Sequence, residues 1–137
     1  MNKKNKYYIT ASIPYVNAFP HLGHALEFIQ ADTIARYKKS EGIDTLLLSG
    51  SDENALKNVQ AAEAAKIPVK QFVDKNANEF QHLAERLNVQ FDVFQKGSDE
   101  VRHFVSSQFL WKRCLENGDI YKKEYQGLYC VGCEAFY

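Results

Sequence analysis

The sequence lacks the long hydrophobic run that a membrane-spanning helix requires. No apolar stretch approaches the roughly 18 residues that cross a bilayer. Residues 1–6 lead into a short segment rich in aromatic and β-branched residues, rather than into the apolar region of a signal peptide. These absences predict a cytoplasmic protein that does not associate with membranes.

The sequence also has few cysteines and no net charge. Three cysteines among 137 residues, two of them in one Cys-x-x-Cys pair, do not make a disulfide framework, so we expect reduced thiols. Lys and Arg number 17, as do Asp and Glu, and the formal net charge is zero. No positive field covers the whole surface, so any contact with nucleic acid must be local or made by parts outside this sequence.

The sequence does contain a strand, a loop and a helix start in quick succession. Residues 7–13 are rich in β-branched and aromatic residues and are stopped by Pro14, which predicts a buried parallel strand. The apolar spacing of residues 22–39 predicts a helix that lies on a sheet. The face expected to pack carries Leu22, Ala25, Leu26, Phe28, Ile29 and Ala35.

Two histidines lie at the predicted helix start. His21 and His24 are three residues apart, so their rings should project on one side, near backbone N–H groups that no helical carbonyl satisfies. Such a helix start attracts phosphate, and imidazole donors can stabilise developing negative charge. Gly23 has no side chain, so a nucleotide could lie against the backbone there. The alternative is an ordinary N-terminal cap with two polar surface residues.

A second apolar run follows the helix. Gly42 ends the helix, and residues 43–49 predict a second buried strand, which completes a right-handed βαβ unit. Ligands bind beyond the carboxyl ends of such strands, so residues 50–54 should lie beside the two histidines. Ser51 or Asp52 could cap the helix that continues from Ala55. The alternative for Asp52 is that its carboxylate pairs with the ammonium of an amino acid.

Further helices and strands are predicted along the rest of the chain. Pro68 opens a helix that reaches about Asn88, with the weakest point of its apolar stripe between Asn76 and Asn78. Alternation predicts a third strand over residues 89–94. A helix over residues 101–116, with Cys114 as a buried apolar residue, precedes short antiparallel strands over residues 120–129.

Near the last residue stands the Cys-x-x-Cys pair. The two-residue spacing lets the sulfurs of Cys130 and Cys133 reach one tetrahedral Zn²⁺ at about 2.3 Å. One pair supplies only half of a structural zinc site. Two unligated thiols in a hairpin are the alternative.

Several of these segments together resemble a known family. The runs are Thr-Ala-Ser-Ile-Pro-Tyr-Val-Asn (10–17), His-Leu-Gly-His (21–24), Ile-Gln-Ala-Asp (29–32) and Ala-Arg-Tyr (35–37). They resemble the start of the methionyl-tRNA synthetases, which are class I aminoacyl-tRNA ligases, and the similarity runs from about residue 7 to the last residue. His-x-Gly-His alone fits any class I synthetase or related nucleotidyl transferase. The Pro-Tyr-Val-Asn lead-in and the Cys-x-x-Cys-Glu tail narrow the resemblance to the methionine family.

The resemblance implies a reaction and a set of site residues. A complete enzyme of this family activates methionine with ATP, assisted by Mg²⁺, to methionyl-adenylate and transfers the methionyl group to tRNA. The implied catalytic residues, which stabilise charge on the phosphates, are His21 and His24. The implied methionine-binding residues are Ile13, Tyr15 and Asp52, and the implied ATP-binding residues are Asn17, His21, Gly23, His24 and Glu27.

The resemblance also implies an α/β fold: a Rossmann-like parallel sheet with flanking helices, the first half of a class I catalytic domain. Residues 1–117 would form the nucleotide-binding part, and residues 118–137 would begin a connective-peptide insertion with a zinc knuckle, whose later ligands are expected after Tyr137. The family's Gly-Thr-Asp-Glu-His-Gly appears here as Gly-Ser-Asp-Glu-Asn-Ala, which keeps Asp52.

The family's second signature, Lys-Met-Ser-Lys-Ser, does not occur in this sequence. We therefore expect a partial catalytic domain that is inactive alone, completed by a longer chain or by a separate one, with tRNA bound mainly by those other parts. Two rival functions remain at this point. A small-molecule nucleotidyl transferase would need no Cys-x-x-Cys insertion. The other rival is a non-catalytic, free-standing fragment that serves as a binding or assembly module for a separately encoded partner.

Overall fold

A three-stranded parallel sheet organises the first part of the chain in a computed structural model, which describes residues 5–130 and 132–137. The strands are β1 (Lys6–Thr10), β2 (Asp44–Ser51) and β3 (Val93–Lys96), in the order β1-β2-β3. Both neighbouring pairs are parallel. This arrangement, with helices beside it, confirms the predicted α/β fold.

Four helices and one small hairpin complete the described residues. They are α1 (Leu22–Ser40), α2 (Leu56–Ala65), α3 (Val69–Arg86), α4 (His103–Glu116), and the antiparallel strands β4 (Tyr129–Cys130) and β5 (Ala135–Phe136). Within the described ranges, none of the helices has the length and apolar character that crossing a bilayer demands. The chain divides into two compact units, the first ending at Phe104 and the second running from Val105 to Tyr137.

The core of the first unit forms between one face of the sheet and the helices α1 and α3. Phe28, Leu47 and Phe80 are completely buried there. Leu47 faces this core, whereas its neighbour Leu46 on the opposite sheet face is 39% exposed, as the two-residue period of a strand requires. The remaining core residues are small or β-branched, including Ala11, Val16, Ala31, Ala35, Val73, Ala77 and Ala84.

The packed face of α1 differs from the predicted one. Leu22 and Leu26 are 87% and 58% exposed, and the buried residues are Phe28, Ala31, Asp32 and Ala35. The helix is apolar on more than one side, so its period alone could not select the packed face. Small alanines bring the helix backbone close to the sheet, and Asp32 can be buried because its carboxylate accepts hydrogen bonds from Arg36 and from the Gln90 N–H group.

Two predicted strands are shorter than expected. β1 ends at Thr10 and is largely exposed, because it is an edge strand of the three-stranded sheet. β3 begins at Val93 because the preceding backbone groups bond elsewhere. The Val89 N–H donates to Ala84 at the end of α3, and the Gln90 N–H donates to Asp32.

The second unit is mostly exposed. No residue of α4 is buried, and Cys114 is only half-buried, so the expectation of a buried Cys114 was wrong. Of the strands predicted over residues 120–129, only Tyr129 belongs to one, β4, which pairs with β5. The predicted boundary between residues 117 and 118 remains a prediction.

A buried asparagine in α3 fixes the loop that precedes α1. The helix runs unbroken through Asn76, whose side-chain amide donates to the Val16 carbonyl at 2.7 Å. Both residues are almost completely buried. The amide therefore satisfies a carbonyl that water does not reach, and it ties the loop to the core.

Replacing this amide should destabilise the fold. We expect Asn76→Ala to lower the free energy of unfolding by about 2 kcal/mol, because the buried Val16 carbonyl loses its donor. Asn78→Ala, an exposed change in the same helix, is the matched control and should shift stability by less than about 0.5 kcal/mol. Urea unfolding measures both, and equal effects would contradict this role for Asn76.

Candidate functional site

The start of α1 is capped by the two histidines themselves. His21 is the N-cap, and its Nδ1 accepts a hydrogen bond from the Gly23 N–H at 3.1 Å. In return the His24 Nδ1 accepts from the His21 N–H at 3.1 Å. This reciprocal pair is a capping box built from imidazoles, and it holds the ring centroids 3.9 Å apart.

The capping bonds determine which nitrogen carries the proton. An Nδ1 that accepts from a backbone N–H holds no proton, so in each neutral ring the proton is on Nε2. Both histidines therefore keep an Nε2–H donor that the cap does not use. On the sequence alone, a helix cap and an anion-binding site are alternative interpretations of these residues. In the structure the histidines can serve as both, because the cap uses Nδ1 and leaves the Nε2–H groups available.

These rings border a cavity of about 450 Å³, here called the histidine cavity. All five residues predicted to bind ATP line it, as does Tyr15 from the predicted methionine-binding set. Its lining residues are Ser12, Pro14, Tyr15, Asn17, Ala18, Phe19, His21, Gly23, His24, Glu27 and Phe80.

The environment of His24 favours its neutral form. The edge of Phe80 lies against the ring, with centroids 4.9 Å apart. Burial lowers the pKa of His24 below its usual value, and the nearby His21 lowers it further, while the charge of Glu27 acts in the opposite direction. His24 is thus a hydrogen-bond donor through Nε2 at neutral pH without carrying a full positive charge.

Asp52 is joined to the loop before α1 through the backbone. Its N–H donates to the Pro14 carbonyl at 2.9 Å, and Tyr15 and Asp52 form an isolated parallel bridge. The topology therefore brings these two distant segments together, as the βαβ prediction required. Of the interpretations offered by the sequence, a cap from Ser51 or Asp52 was wrong: the Asp52 carboxylate accepts from the Asn54 N–H, the Ser51 hydroxyl donates to Glu53, and α2 begins after Ala55 without a side-chain cap.

A second cavity, of about 350 Å³, holds Asp52 and is here called the aspartate cavity. Ile13 and Asp52 line it together, whereas Tyr15 lines the histidine cavity. Ile13 lines the aspartate cavity, and the next two residues, Pro14 and Tyr15, line the histidine cavity. The other residues around the aspartate cavity are Leu48, Ser51, Asn54, Gln95, Gly97 and His103.

Sequence reasoning missed the groups that support the aspartate cavity. The Glu53 carboxylate is buried and accepts from the Ser51 hydroxyl at 3.0 Å and from the Ser98 N–H at 2.7 Å, which ties the end of β2 to the loop after β3. At Gly50 a Cβ atom would lie 1.9 Å from the Gln95 carbonyl oxygen, so the two strands can approach only at a glycine. Neither contact follows a short period in the sequence.

Tyr15 and Glu27 have partners that the sequence did not indicate either. The ammonium group of Lys57 lies 5.4 Å from the centre of the Tyr15 ring, a cation–π distance. The backbone N–H and the hydroxyl of Ser12 both donate to Glu27. Both pairs join residues more than ten positions apart, which a local motif does not reveal.

The cysteine pair lies in the second unit. The Cys133 N–H donates to the Cys130 sulfur at 3.4 Å, and this backbone hydrogen bond is the main cause that lowers the pKa of the Cys130 thiol. Val131, between them, lies outside the described residues. Among residues 5–130 and 132–137, no three His, Cys, Asp or Glu side chains are grouped to hold a metal ion, so the described part supplies at most half of a zinc site.

Comparison with known proteins places these features in a family. A family model described as tRNA synthetases class I (M) matches residues 7–137. The chain belongs to this family. Among curated members, a methionine–tRNA ligase of Mycobacterium leprae is 44% identical over 131 residues, covering 96% of this chain and 24% of the relative. One of Thermotoga maritima is 43% identical over 132 residues, covering 96% and 21%.

Solved structures of synthetases share the fold. The methionyl-tRNA synthetase of Mycobacterium tuberculosis, bound by methionyl-adenylate, matches with a TM-score of 0.89 and 43% identity, over 98% of this chain and 26% of that one. A leucyl enzyme of Agrobacterium radiobacter matches with a TM-score of 0.85 at 18% identity, over 97% and 17%, which supports the fold alone. The chain spans about a quarter of the length of the curated relatives it matches.

The burial of the His24 ring predicts how this residue titrates. Its folded-state pKa is lowered, so its Cε1–H resonance should titrate with a midpoint below the ordinary value of about 6.5. Because unfolding then takes up a proton, the contribution of His24 to stability should fall as the pH drops through and below about 6.5.

Nitrogen-15 NMR should also show Nε2–H tautomers for His21 and His24. An Nδ1–H tautomer at either ring would contradict the reciprocal cap.

Proposed function

We propose that this chain forms the part of a methionine–tRNA ligase that binds ATP and methionine. The observation that carries the proposal is that two imidazole donors line the histidine cavity and a carboxylate lines the aspartate cavity, with the consecutive residues Ile13 and Pro14 lining one cavity each. The complete reaction would need the other three quarters of the length of the curated relatives in addition to this chain. That remainder would carry most of the tRNA contacts, whether in one longer chain or in a separate one, and we expect the enzyme in the cytoplasm.

The proposed reaction has two steps. A carboxylate oxygen of methionine attacks the α-phosphorus of ATP, the bond to the β-phosphate bridging oxygen breaks, and pyrophosphate leaves. A hydroxyl of the terminal ribose of tRNA then attacks the methionyl carbonyl, and AMP leaves. Such transfers ask the protein mainly to position the reactants and to stabilise negative charge.

His21 and His24 are the proposed catalytic residues. Their Nε2–H groups would donate to phosphate oxygens whose negative charge increases in the transition state. They act at the N-terminus of α1, where the helix dipole also favours an anion. Gly23 supports this arrangement because a Cβ there would lie 2.9 Å from Cε1 of His21 and displace the ring. Asn17 and Glu27 line the same cavity and would contact the rest of ATP.

Methionine is proposed to occupy the aspartate cavity. The Asp52 carboxylate would pair with the methionine ammonium, and Ile13 would pack against the side chain. The methionine carboxylate would then lie near residues 13–15, of which Ile13 lines the aspartate cavity and Tyr15 lines the histidine cavity. Tyr15 lines the histidine cavity and would lie where methionine meets the α-phosphate.

Two metal ions enter the proposal differently. Mg²⁺ commonly binds through substrate phosphates with few protein ligands, which fits the lack of a grouped metal site among the described residues. When bound it would neutralise phosphate charge. Zn²⁺ would be structural, with Cys130 and Cys133 as two of its four ligands and the other two from outside the described residues.

The test of this function is methionine-dependent exchange of pyrophosphate into ATP, measured on the full-length protein that carries this chain. We expect exchange with methionine and little with leucine or isoleucine. His24→Ala should reduce kcat/KM by roughly a hundredfold or more, about 3 kcal/mol of transition-state stabilisation, through loss of one donor to the phosphates. An unchanged rate in His24→Ala would contradict the assignment.

The matched control is His82→Ala, which removes an imidazole in α3 that does not line either cavity. Its exchange rate should stay within twofold of the unchanged protein. Exchange that depends on a small-molecule acceptor other than an amino acid would instead favour a small-molecule nucleotidyl transferase.

Zinc content tests the role of the cysteine pair. We expect the full-length protein to hold one zinc ion. Cys130→Ser and Cys133→Ser should each release it, because a tetrahedral site loses most of its affinity for zinc when one thiolate ligand is removed. Cys114→Ser, a half-buried thiol in α4, is the control and should keep the metal. Plasma emission spectrometry measures the stoichiometry, and zinc retained by both Cys130→Ser and Cys133→Ser would refute the site.

A further inference from the structure

Ser12 connects the loop after β1 to helix α1 through two hydrogen bonds to one carboxylate. Its backbone N–H donates to Oε1 of Glu27 at 2.5 Å, and its hydroxyl donates to Oε2 at 2.8 Å. Each carboxylate oxygen thus receives one donor from the same residue. Such a two-point contact fixes the plane of the carboxylate as well as its position.

The backbone of Ser12 is itself held from the sheet. The hydroxyl of Ser49, a completely buried residue of β2, donates to the Ser12 carbonyl at 3.0 Å. A continuous path of hydrogen bonds therefore runs from the central strand through Ser12 to Glu27. The orientation of Glu27 depends on the sheet and not only on its own helix.

Glu27 keeps acceptor capacity beyond its two hydrogen bonds with Ser12. A carboxylate has about four lone-pair positions, and Ser12 occupies two of them. Both donors are neutral, so they do not cancel the negative charge. Ser12 and Glu27 both line the histidine cavity, where Glu27 can accept from a ligand that offers a donor.

The distance from the histidines indicates which part of a nucleotide meets Glu27. Glu27 lies three residues after His24 on α1, which places the two Cβ atoms roughly 5–6 Å apart. A phosphate would be repelled by the carboxylate, whereas the ribose, joined directly to the α-phosphate through its 5′ carbon, carries hydroxyl donors. The sugar is therefore the first donor-bearing group that Glu27 reaches from a phosphate held at His24.

We propose that Ser12 is a positioning residue that orients Glu27 to accept a hydrogen bond from a ribose hydroxyl of the bound nucleotide. The inference rests on the proposed function for the presence of ATP in the histidine cavity. Ser12 acts through Glu27 and contributes to nucleotide affinity, and it takes no part in the transfer of the adenylyl group.

The experiment compares nucleotides that differ by one hydroxyl. In the full-length protein, binding of ATP, 2′-deoxy-ATP and 3′-deoxy-ATP is measured by calorimetry, with KM and kcat from exchange where activity allows. Ser12→Ala should weaken ATP about tenfold through KM, with little change in kcat. With the deoxynucleotide that lacks the recognised hydroxyl, the same substitution should cost less than twofold.

Three further variants separate this role from a purely structural one. Ser12→Thr keeps the hydroxyl and should restore ATP affinity. Glu27→Gln keeps the size of the side chain and should, like Ser12→Ala, weaken ATP but not the deoxynucleotide that lacks the recognised hydroxyl. This variant replaces Ser12→Ala in the test if Ser12→Ala folds poorly. Ser40→Ala removes a hydroxyl that donates to Tyr37 at the far end of α1, and it should leave all three affinities unchanged.

The outcomes distinguish this inference from the proposed function. If Ser12→Ala and Glu27→Gln weaken all three nucleotides equally, or none of them, the role in ribose recognition is overturned. If the unchanged protein shows no exchange with methionine but its ATP binding still depends on Ser12 and one hydroxyl, the inference stands and the proposed ligase function fails.

Discussion

The site depends on one interaction, the reciprocal hydrogen bonding of two histidines with the backbone at the start of α1. Helix N-termini leave N–H groups without helical partners, and here His21 and His24 satisfy two of those groups through Nδ1. The same bonds fix each neutral ring with its proton on Nε2. A helix cap thereby becomes a pair of oriented donors beside a cavity, with the helix dipole adding to their attraction for an anion.

The rest of the first unit holds a carboxylate and a loop in place around that pair. The parallel βαβ unit brings Asp52 beside Pro14, where a backbone hydrogen bond joins them. Asn76 in α3 donates to the Val16 carbonyl and so anchors the loop before α1. Buried polar groups with hydrogen-bond partners do much of this positioning. Glu53 connects the ends of two strands, and Ser12 connects the sheet to α1. The function of a methionine–tRNA ligase is proposed on this arrangement, in a chain that covers about a quarter of its relatives.

Much of the fold could be predicted because its elements follow short periods in the sequence. The βαβ unit, α1 and the position of Asp52 beside the loop before α1 all follow from apolar spacing and from the topology of parallel strands. The packed face of α1 could not, since that helix is apolar on more than one side and the sheet selected the small residues. The short β3 and the bonds from Ser12 to Glu27 depend on partners distant in sequence, which no local pattern encodes.

The central claim is that Nε2–H groups of His21 and His24 hold the phosphate of an adenylate. The most direct measurement is nitrogen-15 NMR of the histidine side chains while the full-length protein is titrated with a hydrolysis-resistant methionyl-adenylate analogue. The account predicts that the Nε2 signals of His21 and His24 shift together on binding, while Nδ1 stays unprotonated and the His82 signals do not move. Saturation of the protein with the analogue without any change at His21 and His24 would contradict it.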